Sequence, residues 1–257
     1  MRIALSQISP KLSKDNFKLH VEQIERAKSE GAKLIVFPEL SMNGYMLMDA
    51  VYEDYFLEDD FSQFYKLSLD LDIDIVIGAV MKDRDKIYNS SLYISNGKIL
   101  SIHHKNNLPN YGMFEEARFF FRGEACNSFN TKFGKSMMVI CEDLWSSKTI
   151  DTISSNKPDI LFVISNSPTR DFSDDGILSI EKKWLRILST TAILSATYVV
   201  FVNRVGFEDG IGFWGGSMVI TPDGKVKKRA KLFEKELLIC DIYDNISNIE
   251  KYLRRGE

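Results

Sequence analysis

Three side chains with complementary chemistry each lie at the end of a predicted strand. Cys141 ends Met-Met-Val-Ile-Cys, Glu39 follows Leu-Ile-Val-Phe-Pro, and Lys105 follows Ser-Ile-His-His. A cysteine between a strand and the start of a helix can act as a nucleophile, given a base and an oxyanion donor. Each residue alone also fits an ordinary role, because most free cysteines are buried and most glutamates and lysines are solvated. Together they suggest nucleophilic catalysis.

Histidine is the usual base beside a nucleophilic cysteine, and it occurs only at His20, His103 and His104. We expect His20 on the solvent side of a helix. At most one of His103 and His104 is expected to face a site, with the other in solvent. A Cys–His dyad therefore stays open, and a carboxylate base such as Glu39 is the alternative.

The elements that would position these residues alternate between strands and helices. Short segments rich in Ile, Val and Leu predict buried strands at 2–8, 33–37, 73–80, 136–141, 160–165 and 199–203. Helical spacing follows Phe17, where a segment runs to Gly31, and recurs around Trp184. This alternation predicts a layered α/β protein. No linker divides it, so we expect a single domain over residues 1–257.

Two tight turns indicate that the sheets are mixed. Asn96-Gly97 lies between two strand-like segments, and Asn-Gly supplies the positive φ of a two-residue hairpin turn. Pro222-Asp223-Gly224 separates two further segments in the same way. Antiparallel hairpins should therefore accompany the parallel strands.

The composition excludes several classes of protein. With 44% hydrophobic residues, the chain can close a large core and is not disordered. The 33 basic and 36 acidic side chains give a net charge of −3, which argues against a nucleic-acid partner. The three cysteines and the lack of a long apolar segment predict a cytoplasmic protein with no membrane association.

Longer motifs resemble the nitrilase superfamily of carbon–nitrogen hydrolases in order and spacing, over essentially the whole chain. The matching segments are Phe-Pro-Glu at 37–39, Tyr-Asn-Ser at 88–90, Lys105 with Leu-Pro-Asn-Tyr-Gly at 108–112, Phe-Glu-Glu-Ala-Arg-Phe-Phe at 114–120, Ile-Cys-Glu-Asp-Leu-Trp at 140–145, Val-Asn-Arg-Val-Gly at 202–206, Gly-Gly-Ser at 215–217 and Pro-Asp-Gly at 222–224. The resemblance implies an α-β-β-α sandwich with mixed sheets that forms a homodimer or a higher homo-oligomer.

The resemblance also implies roles for individual residues. Glu39 would be the general base, Lys105 would support the tetrahedral intermediate, and Cys141 would be the nucleophile. Glu116 matches the family's second glutamate. The implied reaction is hydrolysis of a small-molecule amide to a carboxylate and ammonia through a thioester, with neither a metal nor an organic cofactor.

The motifs are closest to the glutaminase domains of glutamine-dependent NAD synthetases and their stand-alone amidase relatives. By that resemblance Tyr111, Glu142 and Ser167 would help to hold the substrate, and Arg170 would replace the basic group that reads an α-carboxylate. The Gly-Lys or Gly-Arg step of those glutaminases does not follow Ser167-Pro168, and the sequence contains no Ser-Gly-Gly-type pyrophosphate loop.

An amidase of undefined substrate is therefore the leading interpretation. A glutaminase subunit that supplies ammonia to a separate NAD synthetase is the first alternative, and a catalytically silent binding module is the second. Nitrile hydrolysis is disfavoured, because Glu142 stands where the nitrilase proper carries a tryptophan.

Two expectations concern assembly and substrate charge. The dimer interface is expected to include Trp184, Leu185, Leu188 and Ile193, and the segment 242–253 is expected to cross onto the partner. A site with Glu39, Glu116 and Glu142 around one ammonium should favour neutral or amine-bearing amides, unless Arg170 turns inward.

Overall fold

The computed structural model describes residues 1–13, 16–170 and 178–243, which form two six-stranded sheets and a separate two-stranded hairpin. The strands are β1 (Arg2–Gln7), β2 (Leu34–Val36), β3 (Asp74–Asp83), β4 (Lys86–Ser95), β5 (Lys98–His104), β6 (Ser128–Thr131), β7 (Gly134–Ile140), β8 (Ile160–Ser165), β9 (Tyr198–Asn203), β10 (Val205–Glu208), β11 (Ile211–Trp214), β12 (Met218–Ile220), β13 (Val226–Arg229) and β14 (Glu236–Asp241). The helices are α1 (Phe17–Ser29), α2 (Ser62–Asp70), α3 (Glu116–Phe119), α4 (Ser147–Asn156) and α5 (Ser179–Ser195), and short 3₁₀ turns cover Met48–Tyr52, Glu58–Phe61 and Cys141–Trp145.

The first sheet has the strand order β14-β1-β2-β3-β4-β5. Strands β1, β2 and β3 run parallel, while β14, β4 and β5 pair antiparallel with their neighbours. Ile24 of α1 and Phe64 of α2 pack with Ile35 and Ile75 of the sheet. Both helices therefore cover the outer face of this sheet.

The second sheet has the order β13-β12-β9-β8-β7-β6, with β7, β8 and β9 parallel. Ile153 of α4 and Leu188 of α5 pack with Leu161 and Val163 of β8. These two helices form the outer layer on the opposite side of the molecule.

The main core lies between the two sheets. Leu34 and Val36 of β2 face Phe162 and Ile164 of β8 in this layer, while Ile35 points the other way, towards the helices. Because side chains alternate across a strand, strands buried on both faces read as continuous apolar segments. The predicted α-β-β-α sandwich with mixed sheets is confirmed.

Both predicted hairpins are present. Asn96 and Gly97 have φ angles of 48° and 79°, as a two-residue turn with two left-handed residues requires. The second turn joins β12 to β13, which pair antiparallel. Sequence analysis did not predict β6, the β10–β11 hairpin or β14. These strands are short or only partly apolar, and β14 is recognisable only through its pairing with β1.

The expected dimer surface is wrong in part. Trp184 and Leu188 are 1% and 0% exposed, since they pack in the protein's own core. Ile193 is 57% exposed, and its neighbour Leu194 is 59% exposed, so an apolar surface does remain near the end of α5. The dimer stays a prediction, and the segment 242–253 lies outside the described residues from 244 onwards. Within the described ranges, no helix has the length and apolarity needed to cross a bilayer.

Candidate active site

The fold brings the three predicted residues and Glu116 to one edge of the sandwich. Glu39 follows β2, Lys105 directly follows β5, and Cys141 directly follows β7. Lys105 Nζ lies 2.6 Å from Glu39 Oε1 and 2.8 Å from Glu116 Oε1. Glu39, Lys105 and Glu116 are buried, whereas Cys141 is partly exposed. The ammonium is therefore held between two carboxylates, and all three charges lie close enough to Cys141 to act on its thiol.

Main-chain and side-chain donors fix the Glu39 carboxylate. Asn89 Nδ2 donates to Oε1 at 2.8 Å, and the backbone N–H of Asn166 donates to Oε2 at 2.7 Å. Since Lys105 also binds Oε1, the open acceptor position is on Oε2. The Asn166 bond joins the loop after β2 in the first sheet to the end of β8 in the second.

Gly78 allows the Glu39 loop to pass close over β3. A Cβ at Gly78 would lie 2.4 Å from the Pro38 carbonyl oxygen and 2.5 Å from the Leu40 backbone nitrogen. The backbone N–H of Met42 donates to the Gly78 carbonyl at 3.0 Å. A side chain at position 78 would force the backbone around Glu39 to move, so the absent Cβ is part of how this carboxylate is placed.

The pKa values of Lys105 and Glu116 are set by two opposing effects, burial and the attraction between their opposite charges. Burial lowers the pKa of Lys105, but the attraction of Glu116 and Glu39 outweighs it, so this pKa lies well above its ordinary value and the ammonium is stable. Burial raises the pKa of Glu116 to about 7, against the opposing effect of Lys105. The carboxyl of Glu116 is therefore able to change charge near neutral pH.

Cys141 occupies a strained position at the floor of the site. Its φ is 44°, in the left-handed region that few non-glycine residues adopt. Burial and the charge of Glu39 raise the pKa of the thiol well above its ordinary value, while Lys105 and a 3.2 Å hydrogen bond from Ser165 Oγ oppose this. The resting Cys141 side chain is therefore a thiol, and it would need a base to accept its proton if it acted as a nucleophile.

Asp143 connects the loop that follows Lys105 to the turn that carries Cys141. Its Oδ1 accepts the backbone N–H groups of Asn106 and Asn107 at 2.9 and 2.8 Å. Its Oδ2 accepts the backbone N–H of Ile140 at 3.0 Å and contacts His103 Nε2 at 2.8 Å. Sequence analysis missed this role, although an acid two residues after Cys141, at the start of a helical turn, was a usable signal.

None of the three histidines contacts the reacting groups in the way a Cys–His dyad requires. The expectation for His20 is wrong, because it is fully buried and lies 2.9 Å from Ser41 Oγ. His103 is buried and binds Asp143, whereas His104 is partly exposed and its ring stacks on Tyr88 with centroids 4.0 Å apart. The carboxylate base that sequence analysis left open is thus the one that the geometry supports.

A cleft of about 220 Å³ opens above Cys141. It is lined by Tyr111, Phe114, Cys141, Glu142, Trp145, Ser167, Pro168, Arg170, Ile180, Lys183 and Trp184. All four predicted substrate-binding residues therefore lie on its wall. Lys183 of α5 is an additional cation there that sequence analysis did not identify.

Charges of both signs line this cleft. The Tyr111 hydroxyl donates to both carboxylate oxygens of Glu142 at 3.1 Å, and burial raises the pKa of Glu142 although this bond opposes it. The Arg170 guanidinium lies 4.8 Å from the centroid of the Phe114 ring. The condition that Arg170 turns inward is met, so the expected preference against a second carboxylate on the substrate no longer follows.

Ser167 has a more constrained place than sequence analysis expected. Its Oγ accepts the indole N–H groups of Trp184 and Trp214 at 2.9 and 3.2 Å. Both acceptor positions of the hydroxyl are thus occupied, and only its own proton is available to a substrate. No group of three or more His, Cys, Asp or Glu residues in the described part of the chain is arranged to hold a metal ion.

The sandwich carries a thiol, two carboxylates and an ammonium at one edge. This combination of fold and side chains defines the class of carbon–nitrogen hydrolases. The family model for carbon–nitrogen hydrolases matches residues 2–250. The chain belongs to this family, as its motifs predicted.

Among known proteins, the chain is similar to glutamine-dependent NAD synthetases. It is 32% identical over 241 residues to the Acinetobacter baylyi enzyme, which corresponds to 92% of this chain and 43% of that protein. The solved Acinetobacter baumannii enzyme in complex with ADP has 32% identity and a TM-score of 0.79, over 93% of this chain and 44% of that one. This chain therefore spans less than half the length of these relatives.

A solved carbon–nitrogen hydrolase from Helicobacter pylori G27 is similar in fold over most of its length. The TM-score is 0.85 at 21% identity, covering 99% of this chain and 92% of that one. This similarity supports the same sandwich and carries no conclusion about substrate.

Proposed function

We propose that this protein hydrolyses the C–N bond of a small-molecule amide through a thioester on Cys141. The observation that carries the proposal is the Lys105 ammonium, held at 2.6 and 2.8 Å between Glu39 and Glu116 close to a partly exposed thiol. Three groups that a thiol-dependent acyl transfer needs, a nucleophile, a base and a fixed positive charge, are thereby brought together.

In the first half-reaction the Cys141 sulfur attacks the amide carbonyl carbon while its proton passes to Glu39 Oε2. The carbonyl oxygen becomes an oxyanion, stabilised by Lys105 and by the backbone N–H of Glu142 in the first turn after the nucleophile. Glu39 then gives the proton to the amide nitrogen, the C–N bond breaks, and ammonia leaves a thioester. Glu116 holds the Lys105 ammonium in place through Oε1, at 2.8 Å.

In the second half-reaction water attacks the thioester carbon, and Glu39 accepts a proton from that water. The C–S bond breaks, and the proton returns from Glu39 to the sulfur. The carboxylic acid leaves, and the thiol is restored. Because the resting Cys141 is a thiol, the same carboxylate serves both halves of the reaction.

Ammonia release from a panel of small amides, carbamoyl amines and glutamine tests this proposal. We expect turnover by the unmodified protein and none by Cys141→Ala, with Cys126→Ala as the control because Cys126 lies outside the cleft. Burial raises the pKa of both Cys141 and Cys126, but iodoacetamide should label Cys141 faster, because Cys141 lines the cleft and has the Glu39 carboxylate to accept its proton. Release of ammonia by Cys141→Ala at an undiminished rate would reject the thioester route. No turnover across the panel would instead favour a silent binding module.

A second candidate is a glutaminase that supplies ammonia to a separate NAD synthetase. Its support is that Glu142, Arg170 and Lys183 line the same cleft. The carboxylate of Glu142 complements an α-ammonium, and the two cations complement an α-carboxylate. The similarity to the Acinetobacter baylyi glutamine-dependent NAD synthetase, which extends over 92% of this chain, agrees with this candidate.

Three matched substrates separate the two candidates. Glutamine, glutaramate and γ-aminobutyramide carry the same amide on chains with both charges, the carboxylate alone and the amine alone. A glutaminase should prefer glutamine to both by at least about tenfold in kcat/KM, and Arg170→Ala should remove the preference over γ-aminobutyramide. An amidase of broader substrate range should show no such preference.

A further inference from the structure

The β10–β11 hairpin is connected to the candidate active site through the side chain of Glu208. Glu208 Oε1 accepts the backbone N–H groups of Tyr45 and Met46, both at 2.7 Å. Its Oε2 pairs with Arg204 Nη1 at 2.9 Å, and both members of this pair are buried. More than 160 residues separate Glu208 from Tyr45, so this contact exists only in the folded protein.

Gly44 makes this close approach possible. It has a φ of 87°, and a Cβ on it would lie 2.8 Å from Glu208 Oε2 and 2.9 Å from Leu12 Cα. The loop can therefore rest on the Glu208 carboxylate only when position 44 carries no side chain. Arg204 in turn donates to the Pro10 carbonyl at 3.3 Å and lies 4.3 Å from the centroid of the Phe213 ring.

The other end of the loop reaches the site. The Tyr45 hydroxyl donates to Glu116 Oε1 at 2.7 Å, which is the same oxygen that receives Lys105. The Tyr45 ring packs edge-on against Phe114 and Phe213, with centroids 6.3 and 6.2 Å apart. The side chain is thus held at its ring by packing and at its backbone by Glu208.

We propose that Glu208 is a positioning residue that holds the Tyr45 hydroxyl on Glu116 and so favours the ionised form of the Glu116 carboxylate beside Lys105. The catalytic consequence rests on the proposed function, whereas the effect on the charge of Glu116 does not. The groups that surround Glu116 are Lys105 after β5, Glu39 after β2, Tyr45 in the loop beyond it, and Cys141 after β7. Of these, the Tyr45 hydroxyl and Lys105 favour the ionised carboxylate, and Glu39 opposes it.

The direct measurement is the titration of Glu116 by carbon-13 NMR in protein labelled at glutamate carboxyls, with the signal assigned by its loss in Glu116→Gln. We expect a midpoint near neutral pH, in agreement with the pKa of about 7. Tyr45→Phe removes the hydroxyl and keeps the ring, and should raise the midpoint by roughly one unit. Tyr52→Phe is the matched control, because the Tyr52 hydroxyl is exposed and lies 3.5 Å from the Arg118 carbonyl. An unchanged midpoint in Tyr45→Phe would overturn the proposal.

A double-mutant cycle tests the role of Glu208. Glu208→Gln should raise the midpoint in the same direction as Tyr45→Phe, and the double variant should shift it no further than Tyr45→Phe alone, because both act through one hydroxyl. Additive shifts would show that Glu208 affects Glu116 by another route and would overturn the proposal. If Glu208→Gln does not fold, because Arg204 loses its partner, Glu208→Asp keeps the charge while its shorter side chain withdraws from the Tyr45 backbone.

The acid limb of kcat/KM should follow the same midpoints for any amide that is hydrolysed. Tyr45→Phe should move this limb to higher pH and leave the plateau rate within about threefold, whereas a loss of folded protein would lower the rate equally at every pH. If no amide is hydrolysed, the proposed function fails, but the NMR titration still supports or overturns the assignment of Glu208.

Discussion

To lose its proton, the resting Cys141 thiol depends on a neighbouring carboxylate more than on its own acidity. Its pKa is raised by burial and by the charge of Glu39, so few thiolates exist at neutral pH without proton transfer. Glu39 is held by three donors and keeps one acceptor position open towards the site. The positions of these residues therefore support transfer of a proton from Cys141 to Glu39.

Replacement of the two carboxylates should therefore have unequal effects. Glu39→Gln should reduce ammonia release by at least about a thousandfold, because both half-reactions lose their proton carrier. Glu116→Gln should reduce it less and change its pH dependence, since this residue holds Lys105. Glu22→Gln is the control, as Glu22 is exposed on α1. Stopped-flow and steady-state assays separate the two half-reactions, and equal, negligible losses in all three variants would contradict a carboxylate site.

His20 should make the stability of the protein depend on pH. Burial lowers its pKa from 6.5 to about 4, so the unfolded chain binds a proton between these values and the folded protein does not. The free energy of unfolding should thus decrease as the pH falls from about 6.5 to 4, by up to about 3 kcal/mol from this residue. Urea unfolding at several pH values measures this, with His20→Gln for comparison. Parallel curves for the two proteins would contradict the assignment.

Some residues of the candidate site could be predicted from the sequence, and others could not. Glu39, Lys105 and Cys141 each follow a strand, and this position in a short motif is visible in the sequence. Lys183 and Tyr45 carry no such signal, because their approach to the site depends on how α5 and the loop after β2 pack. The contribution of Asn166 is a backbone N–H, which every residue except proline has.

At the scale of elements, one buried carboxylate holds two loops of the site together. Asp143 accepts three backbone N–H groups from the ends of β7 and the loop after β5, and it binds His103 of β5. The strands for which sequence analysis gave bounds were predicted within about three residues of their ends. The loops between them were not, because their paths are fixed by contacts with distant residues such as Gly78 and Asp143.

Asp143→Asn should lower the free energy of unfolding by about 2–4 kcal/mol, because an amide group would face the Ile140 N–H donor in the interior. Ammonia release should also fall, as Lys105 and Cys141 lose their common support. Asp151→Asn on the exposed side of α4 should change neither quantity. Thermal and urea unfolding of the two variants give the comparison, and similar small changes in both would show that the Asp143 bonds are dispensable.

At the scale of the whole molecule, the two outer helical layers differ in what they leave exposed. Ile193 and Leu194 of α5 are 57% and 59% exposed next to each other, at the end of a helix whose other face is in the core. Adjacent exposed apolar side chains of this size are typical of a contact surface. They support the predicted homodimer, although with fewer residues of α5 than sequence suggested.

Sedimentation velocity at micromolar concentration should therefore show a dimer, and Leu194→Glu should shift it towards monomer. Leu69→Glu is the control, because Leu69 is 58% exposed on α2, on the opposite side of the sandwich. A monomeric unmodified protein would contradict the dimer. Equal dissociation by both variants would place the interface elsewhere.

The hydrogen bond from the Asn166 backbone to Glu39 joins one sheet to the other at the point where the proton must be held. The proposed base, Glu39, thus belongs to one half of the sandwich and the proposed nucleophile, Cys141, to the other, so neither half contains both. Turnover should therefore depend on the position of the two sheets relative to each other. A low concentration of denaturant that separates the two sheets should abolish turnover while the strands and helices are still formed.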